Sequence, residues 1–535
     1  MDATLLFSAW QRFLLVLPSY PLFSAVVCLL TIVSLAQRYL SSPWRRLPPG
    51  PRGYPLLGSA LALRHKQRFL ARCMAFGDVV YVNVAGQSTL IINSPRAAAD
   101  LLDRHAAISS SRLRYIVAHE LISGSHFMVM EGHTDRYFAL CILHWRRMRR
   151  AMHEGFRPVA AVNYHVMEEE EAARLALALA GDAQASTPGA YVRHYAHYAS
   201  SLLLAITYGR PLRDTDADRA TAATLDGIIW HLERTMAPGS HLVEFFPWLL
   251  AIPARFAKWK REALEGHKRI TRFYDGLIDD VKRRMAIGEA PPCLVRSLVE
   301  EKQHLGMSVD ETAWTAGTAY TVGSETQAGT LEWITLVLAA HPTVQRRAQA
   351  ALDAVVGHAR APRVRDRAQL PYITAVVREA LRWRPPVPLG VPHVSDEDVW
   401  YEGMFIPKGT AYIVNMQACN ADPDLYGMDA ARFNPDRYLD EKGQLKPSPP
   451  DTKDEGHISY GFGRRSCVGK HVANDSLFVA TATLLWAFDL STVGPFDLDT
   501  YVDKGVTTVP KPFSCKFVSR FTEATAILTG ELEAQ

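Results

Sequence analysis

From Phe13 to Gln37 the chain carries no charged residue, and the most apolar part of that run is PLFSAVVCLLTIVSLA, residues 21 to 36. A helix crosses the hydrocarbon core of a bilayer with about 20 apolar residues. The pattern therefore predicts a membrane span over residues 14 to 36, with Pro18 and Pro21 making its first turn uneven. Arg38, Arg45, Arg46 and Arg52 follow the run, whereas only Asp2 and Arg12 precede it. That asymmetry places the body of the chain in the cytosol. A cleaved signal peptide is the competing reading, because Ser34 and Ala36 form a small-x-small site. Against it, the basic cluster lies after the apolar run instead of before it. The chain thus divides into an anchor (1–37), a hinge (38–60) and a body (61–535). The hinge contains RRLPPGPRGYPLLG, whose prolines and glycines oppose regular helix or central strand.

The body is long enough to bury one large core. Hydrophobic residues make up 48% of the chain and charged residues 21%, an ordinary globular balance. The net charge of +4 includes no basic domain, so nucleic acid is not implied. The seven cysteines are scattered, odd in number and without a CxxC pair. This argues against a disulfide framework or a cysteine zinc site. Six of them read as buried free thiols. Cys467 is set apart, because it sits in a loop rich in polar partners.

Residues 78 to 94, DVVYVNVAGQSTLIINS, alternate and are β-branched, which predicts a hairpin turning at Ala85-Gly86-Gln87. Helical periodicity then dominates, for example at 167–181, 274–286, 341–357 and 375–384. The acidic run Glu168 to Glu171 reads as a solvated first helical turn, favoured by the helix dipole. Strand-like pieces return over 398–415 with a turn at Pro407-Lys408-Gly409-Thr410. Irregular Pro/Asp-rich sequence spans 418–458, and a last helix is expected over Val468 to Phe488. The fold class is mainly α with a small β portion (α+β), in one large domain. The segment VEFFPWLLAIPARFAKWK (243–260) reads either as an ordinary core segment or as a shallow membrane contact, because Trp and Lys favour interfaces.

The stretch YGFGRRSCVGK, residues 460 to 470, frames one thiol with glycines and arginines. A cysteine just before a helix receives backbone N–H groups and the positive end of the dipole. Both favour the thiolate, the form that ligates metals. Gly463 and Gly469 leave room for a flat group at close approach. Arg465 can pair with an anion near the sulfur. A thiolate, a close surface and a guanidinium together suit haem, which has an iron, a flat face and two propionates.

This run resembles the haem-binding signature of the cytochrome P-450 monooxygenases, matching at Tyr460, Gly463, Arg465, Cys467 and Gly469. Tyr460 stands where that family usually has Phe, so its hydroxyl needs a partner if buried. Other motifs keep the family's order. Glu379 and Arg382 resemble its ExxR pair, on one helical face at i, i+3, and Arg437 in FNPDRY is the implied third member of a buried brace. TAYTVGSETQAGTLEW (318–333) resembles the oxygen-activating helix. There Gly323 would leave room for dioxygen, Thr326 would bond the iron-bound oxygen, and Glu325 would sit on a proton path. HWRRMRR (144–150) resembles the WxxxR helix, with Trp145 and Arg149 reaching a propionate, and its other arginines could meet a reductase. His393 is placed like another propionate contact. Residues 137–144 stand between Asp135-Arg136 and Trp145, where related sequences have the pair directly before the Trp. They are an insertion or a splice variant. Asn474-Asp475-Ser476 is a glycosylation sequon that reads as chance.

The resemblance implies a haem-thiolate monooxygenase that carries haem b on Cys467 and receives electrons from NADPH through a separate flavoprotein reductase. Cytochrome b5 would be an optional second donor. The chain has no GxGxxG of its own. The resemblance further implies an endoplasmic-reticulum membrane protein, single-pass, with the catalytic domain cytosolic. Expected pocket walls are small and apolar: Ala316, Ala319, Val322, Val387, Leu389, Val391, Val506 and Val509. A hydrophobic substrate is expected, such as a terpenoid or similar fungal secondary metabolite. The alternatives are a haem-thiolate sensor or electron carrier, a haem-thiolate isomerase or dehydratase, and an anchored interaction protein without haem.

Overall fold

A computed structural model of the chain describes residues 21–55, 57–132, 139–213, 215–236 and 239–534. Helix α1 (Pro21–Ser41) has its apolar side chains open on all sides; Leu29, Leu30 and Ile32 are each about 60% exposed. Among the described residues it is the one helix long and apolar enough to cross a membrane. Cys28 lies on its exposed surface, so it is not one of the buried thiols. The rest of the predicted span, residues 14–20, lies outside the described residues.

The segment after α1 is tied down. Tyr81 N–H donates to Pro49 O, Ser59 N–H donates to Asn83 O, and Gly58 bridges to Val84. These bonds cover the outer edge of strand β1 (Val79–Val84). β1 turns through Ala85-Gly86 into β2 (Gln87–Ile92), with Val84 paired to Gln87. Both turn residues have positive φ, as a tight two-residue hairpin requires. Gln87 therefore belongs to the strand and not to the turn. Strand β3 (Ser111–Arg112) comes next.

Helices then dominate, as the periodicity predicts. They are α2 (Ala139–Phe156), α3 (His165–Gly181), α4 (Val192–Tyr208), α5 (Asp216–Met236), α6 (Lys258–Ala286), α7 (Val309–Ala340), α8 (Pro342–Val355) and α9 (Pro371–Trp383). Asp135, Arg136, Tyr137 and Phe138 lie outside the described residues, and Ala139 to His144 form the first turns of α2. α7 runs through the centre, packed by α4 and α6, and buries nearly every residue from Glu311 to Ala339. Its first turn is closed by a capping box: Glu311 N–H donates to Ser308 Oγ, and Ser308 N–H donates to Glu311 Oε2.

β4 (His393–Val394), the hairpin β5 (Val399–Tyr401) and β6 (Met404–Ile406), and β7 (Ala411–Val414) bring the chain back to strand structure. The main sheet has the order β1-β2-β7-β4-β3. After an irregular stretch, α10 (Lys470–Ala487) packs against α3, and α11 (Ala524–Glu533) closes the chain over α3 as well. Because α3 is covered by α4, α10 and α11, its acidic run is not solvated as expected. Glu168 is 0% and Glu171 2% exposed. Glu171 pairs with Arg213 at 2.7 Å.

Candidate active site

The loop from Tyr460 to Gly469 is held in place before α10 begins. Cys467 N–H donates to Tyr460 O at 2.7 Å, and Arg149 of α2 donates to Ser466 O at 2.6 Å. Tyr460 finds the partner its hydroxyl needs, donating to Asn474 Oδ1 at 2.7 Å. The sequon is thereby internal: Asn474 is bonded to Tyr460, and Ser476 Oγ accepts from Gln327 of α7.

Gly463 does something other than clear space for a flat group. Its φ is +55°, and a Cβ there would stand 2.3 Å from Leu102 O. The loop presses on the protein at that point. Gly469 does face open space, with nothing within 4 Å of a Cβ. Gly463→Ala is expected to cost about 1–2 kcal/mol from the left-handed backbone alone, and more from the contact with Leu102. A fall in Tm of the Gly463→Ala protein relative to the wild type checks this.

The Cys467 thiol opens onto a cavity of about 290 Å³ deep in the fold. Burial pushes its pKa up, against the Gly469 N–H and the charges of Arg149 and Lys470. The helix start alone therefore does not yield a thiolate, and desolvation outweighs it. A metal ion at the sulfur would reverse the balance.

The cavity's walls bring together most of the residues the sequence singles out. Tyr460, Arg465, Cys467, Gly469, Trp145, Arg149, His393, Gly323 and Thr326 all line it. So do Ala319, Val322, Val387, Leu389 and Val391, but not Ala316, Val506 or Val509. Ala316 and Val509 are consumed by packing, Val509 against Gly329.

One end of the cavity gathers positive charge. Arg465 donates to the carbonyls of Ser110, Met128 and Glu131 and lies 4.3 Å from the Trp145 ring centroid. Arg112 donates to the carbonyls of Val129, Val391 and Pro392. Burial, then mutual repulsion, depresses the pKa of Arg465, and burial with repulsion from Arg149 brings Arg112 down to about 9. Burial also lowers Arg149. The buried His393 donates Nδ1–H to Ser109 O, and burial holds its pKa well below the ordinary imidazole value. Backbone carbonyls orient the three guanidiniums, and among the described residues none of the three is in an ion pair with a carboxylate. An anionic ligand group fits there. The sequence offers no signal for Arg112, because SSRLRY carries no motif and only the β3–β4 pairing brings it to the cavity.

On α7, Gly323 does not simply make room: its Cβ would meet Leu203 Cδ1 at 2.8 Å, so it also serves the packing of α7 on α4. Thr326 Oγ1 donates back to the carbonyls of Val322 and Gly323, each at 3.1 Å. Glu325 turns away from Thr326 and accepts from Thr507 Oγ1 at 2.5 Å.

Beneath the loop lies the brace. Arg382 grips Glu379 with Nε and a terminal nitrogen, each at 2.7 Å, and both residues are at most 1% exposed. Arg437 Nε and Asn434 N–H also donate to Glu379 Oε1. Arg382 further donates to the carbonyls of Asn420, Ala430 and Arg432. Asn420 and Ser459 carry the brace to the cysteine loop: Asn420 Oδ1 accepts from Ile458 N–H, and Ser459 Oγ donates to Leu381 O.

The cytochrome P-450 family model matches residues 48–517. The chain belongs to the cytochrome P-450 family. It is 43% identical over 505 residues to a cytochrome P-450 monooxygenase of Armillaria gallica, covering 93% of this chain and 94% of that one. It is 38% identical over 515 residues to cytochrome P-450 monooxygenase 58 of Postia placenta, covering 94% and 95%. To the cytochrome P-450 monooxygenase iboC of Amanita muscaria it is 32% identical over 568 aligned positions, covering 96% and 98%. This P-450 is therefore an oxidoreductase of the haem-thiolate monooxygenase kind, and the family implies a haem iron held by a cysteine thiolate. The residues on the cavity fit that group: one open thiol, a backbone with no Cβ at Gly469, and guanidiniums suited to two carboxylates.

Proposed function

We propose that Cys467 is the thiolate ligand and that the cavity receives a hydrophobic small molecule, of terpenoid or similar secondary-metabolite class. The observation that carries this is that the Cys467 thiol and the Gly323–Thr326 turn of α7 line the same cavity. When bound, the haem supplies reduction of dioxygen and insertion of one oxygen atom into a C–H bond. Arg112, Arg149 and Arg465 hold its carboxylates, with Trp145 and His393 beside them. Glu379, Arg382 and Arg437 brace the loop. Met128, Phe156, Leu203, Val387 and Leu389 exclude water and orient an apolar substrate.

Thr326 would present its hydroxyl to the cavity as a hydrogen-bond donor beside the bound haem, in place of its back-bonds to Val322 and Gly323. Thr326→Ala is expected to lower product formed per NADPH consumed by about tenfold or more. Quenched product analysis beside NADPH consumption measures it. An unchanged ratio would favour a sensor or electron carrier, and turnover under strict anaerobiosis would favour an isomerase or dehydratase.

Glu325, whose side chain points to Thr507 and not to Thr326, has Glu233 of α5 as its acidic neighbour. Burial and Glu325 push Glu233 up to about 8, with Lys504 pulling the other way. A raised carboxyl pKa means that the folded state holds the proton more tightly than the unfolded chain. The stabilisation is full below the ordinary value of 4.5 and is lost as pH rises through about 8. Between about pH 5 and 8, Tm should fall more steeply with rising pH in the wild type than in Glu233→Gln. Parallel Tm profiles would show that folding does not raise the Glu233 pKa.

The enzyme is anchored by α1 in the endoplasmic-reticulum membrane with its body cytosolic. Trp248 and Phe256, each about 70% exposed, and the half-exposed Phe245 and Phe246 add a second, shallow contact. Electrons come from NADPH through a reductase that docks on the exposed Arg146 and Arg150; Arg147 is instead paired with Glu311. The deciding experiment is the reduced, CO-bound difference spectrum of membranes containing the protein, and then a screen of lipophilic compounds for a shift of the resting Soret band. A colourless purified protein would overturn the reading.

A further inference from the structure

The buried acid of α3 has no role in the chemistry above. Both carboxylate oxygens of Glu168 are buried and have no hydrogen-bond partner. The charged neighbours acting on it are Asp475, Glu169 and Arg367, two acids against one guanidinium. A buried carboxylate in such surroundings has to be neutralised by a proton or a cation.

The surroundings favour a cation. One turn before Glu168, at i−3, His165 presents its imidazole on the same helical face. From α10 comes Asp475, whose Oδ2 lies 3.4 Å from His165 Nε2. Its other oxygen is already taken by Arg367 at 2.5 Å, so one carboxylate oxygen is committed to the guanidinium and one faces the histidine. The three donor atoms of His165, Glu168 and Asp475 all lie within 4.8 Å of one another. Donors around one ion bound at about 2.1 Å stand roughly 3.4 Å apart. Small side-chain rotations close that difference. His165 is partly exposed and offers the route of entry.

We propose that His165, Glu168 and Asp475 bind a divalent transition cation that staples α3 to α10. One imidazole and two carboxylates suit zinc-class ions better than magnesium or calcium, whose sites are built from oxygen alone. Water completes the coordination. The staple would stiffen the start of α10, where the adjacent Asn474 receives the Tyr460 hydroxyl of the cysteine loop.

The test uses the full-length, haem-loaded protein, stripped with a chelating resin and then titrated with zinc chloride alone. Bound zinc is counted by mass spectrometry against haem iron. The expected result is about one zinc per haem, with a rise in the unfolding midpoint. Glu168→Gln and His165→Ala are each expected to weaken zinc binding by about tenfold or more, with haem content unchanged. Glu168 is fully buried, so its variant could fail to fold. The partly exposed His165 keeps the test decisive in that event. Absence of stoichiometric zinc on the wild type, or equal zinc on the wild type and His165→Ala, overturns the proposal. Neither result bears on whether Cys467 holds haem, because the iron count reports that separately.

Discussion

Cys467→Ser is expected to yield a folded protein that lacks both the CO-difference band of thiolate ligation and all oxygenation. The loop's shape does not depend on the sulfur. It rests on the Cys467 N–H to Tyr460 O bond, on Arg149 against Ser466 O, and on the carbonyl contacts of Arg465. Serine preserves all of these and nearly the same volume. It removes only a ligand able to ionise readily and donate electrons to iron. Circular dichroism should therefore match the wild type while the pigment changes. Persistence of the thiolate band with turnover would show that another residue holds the iron, and the proposed site would fail with it.

Arg382→Ala should have the larger effect on the fold. Glu379 is fully buried, and the deletion leaves it with Arg437 and the Asn434 N–H. It also strands the carbonyls of Asn420, Ala430 and Arg432. Breaking one partner of a buried pair costs about 3–5 kcal/mol, a large part of the roughly 5–15 kcal/mol typical of a whole domain. Most of the expressed chain should be aggregated or free of haem. Arg382→Lys is expected to fail too, because an ammonium cannot reproduce the two-pronged grip. A purified Arg382→Ala protein with normal Tm and haem content would show that the brace is dispensable.

Local signals in the sequence carried the helices, the first hairpin and the cysteine loop, because periodicity and turn chemistry are written in adjacent residues. Glu379 and Arg382 were legible for the same reason, being one helical turn apart. What escaped was decided by packing between distant segments. Glu168 looks like an exposed residue of a helical first turn until α10 and α11 cover it. Gly463 reads as clearance for a ligand, yet the carbonyl of Leu102 sets its need. Arg112 has no local motif at all, and reaches the cavity only through the pairing of β3 with β4. In the same way Thr326 and Glu325 are neighbours in sequence, but their side chains part, one toward its own helix and one toward Thr507.

The strap that runs from Pro49 to Ser59 along the free side of β1 bears on how a soluble form could be made. An uncovered edge strand is a template for aggregation, and here the strap's backbone bonds occupy that edge. Trimming the protein just after α1, ahead of Pro43, spares the cover. Trimming at residue 61, the start of the body by composition, strips it away and trades a greasy helix for a sticky sheet.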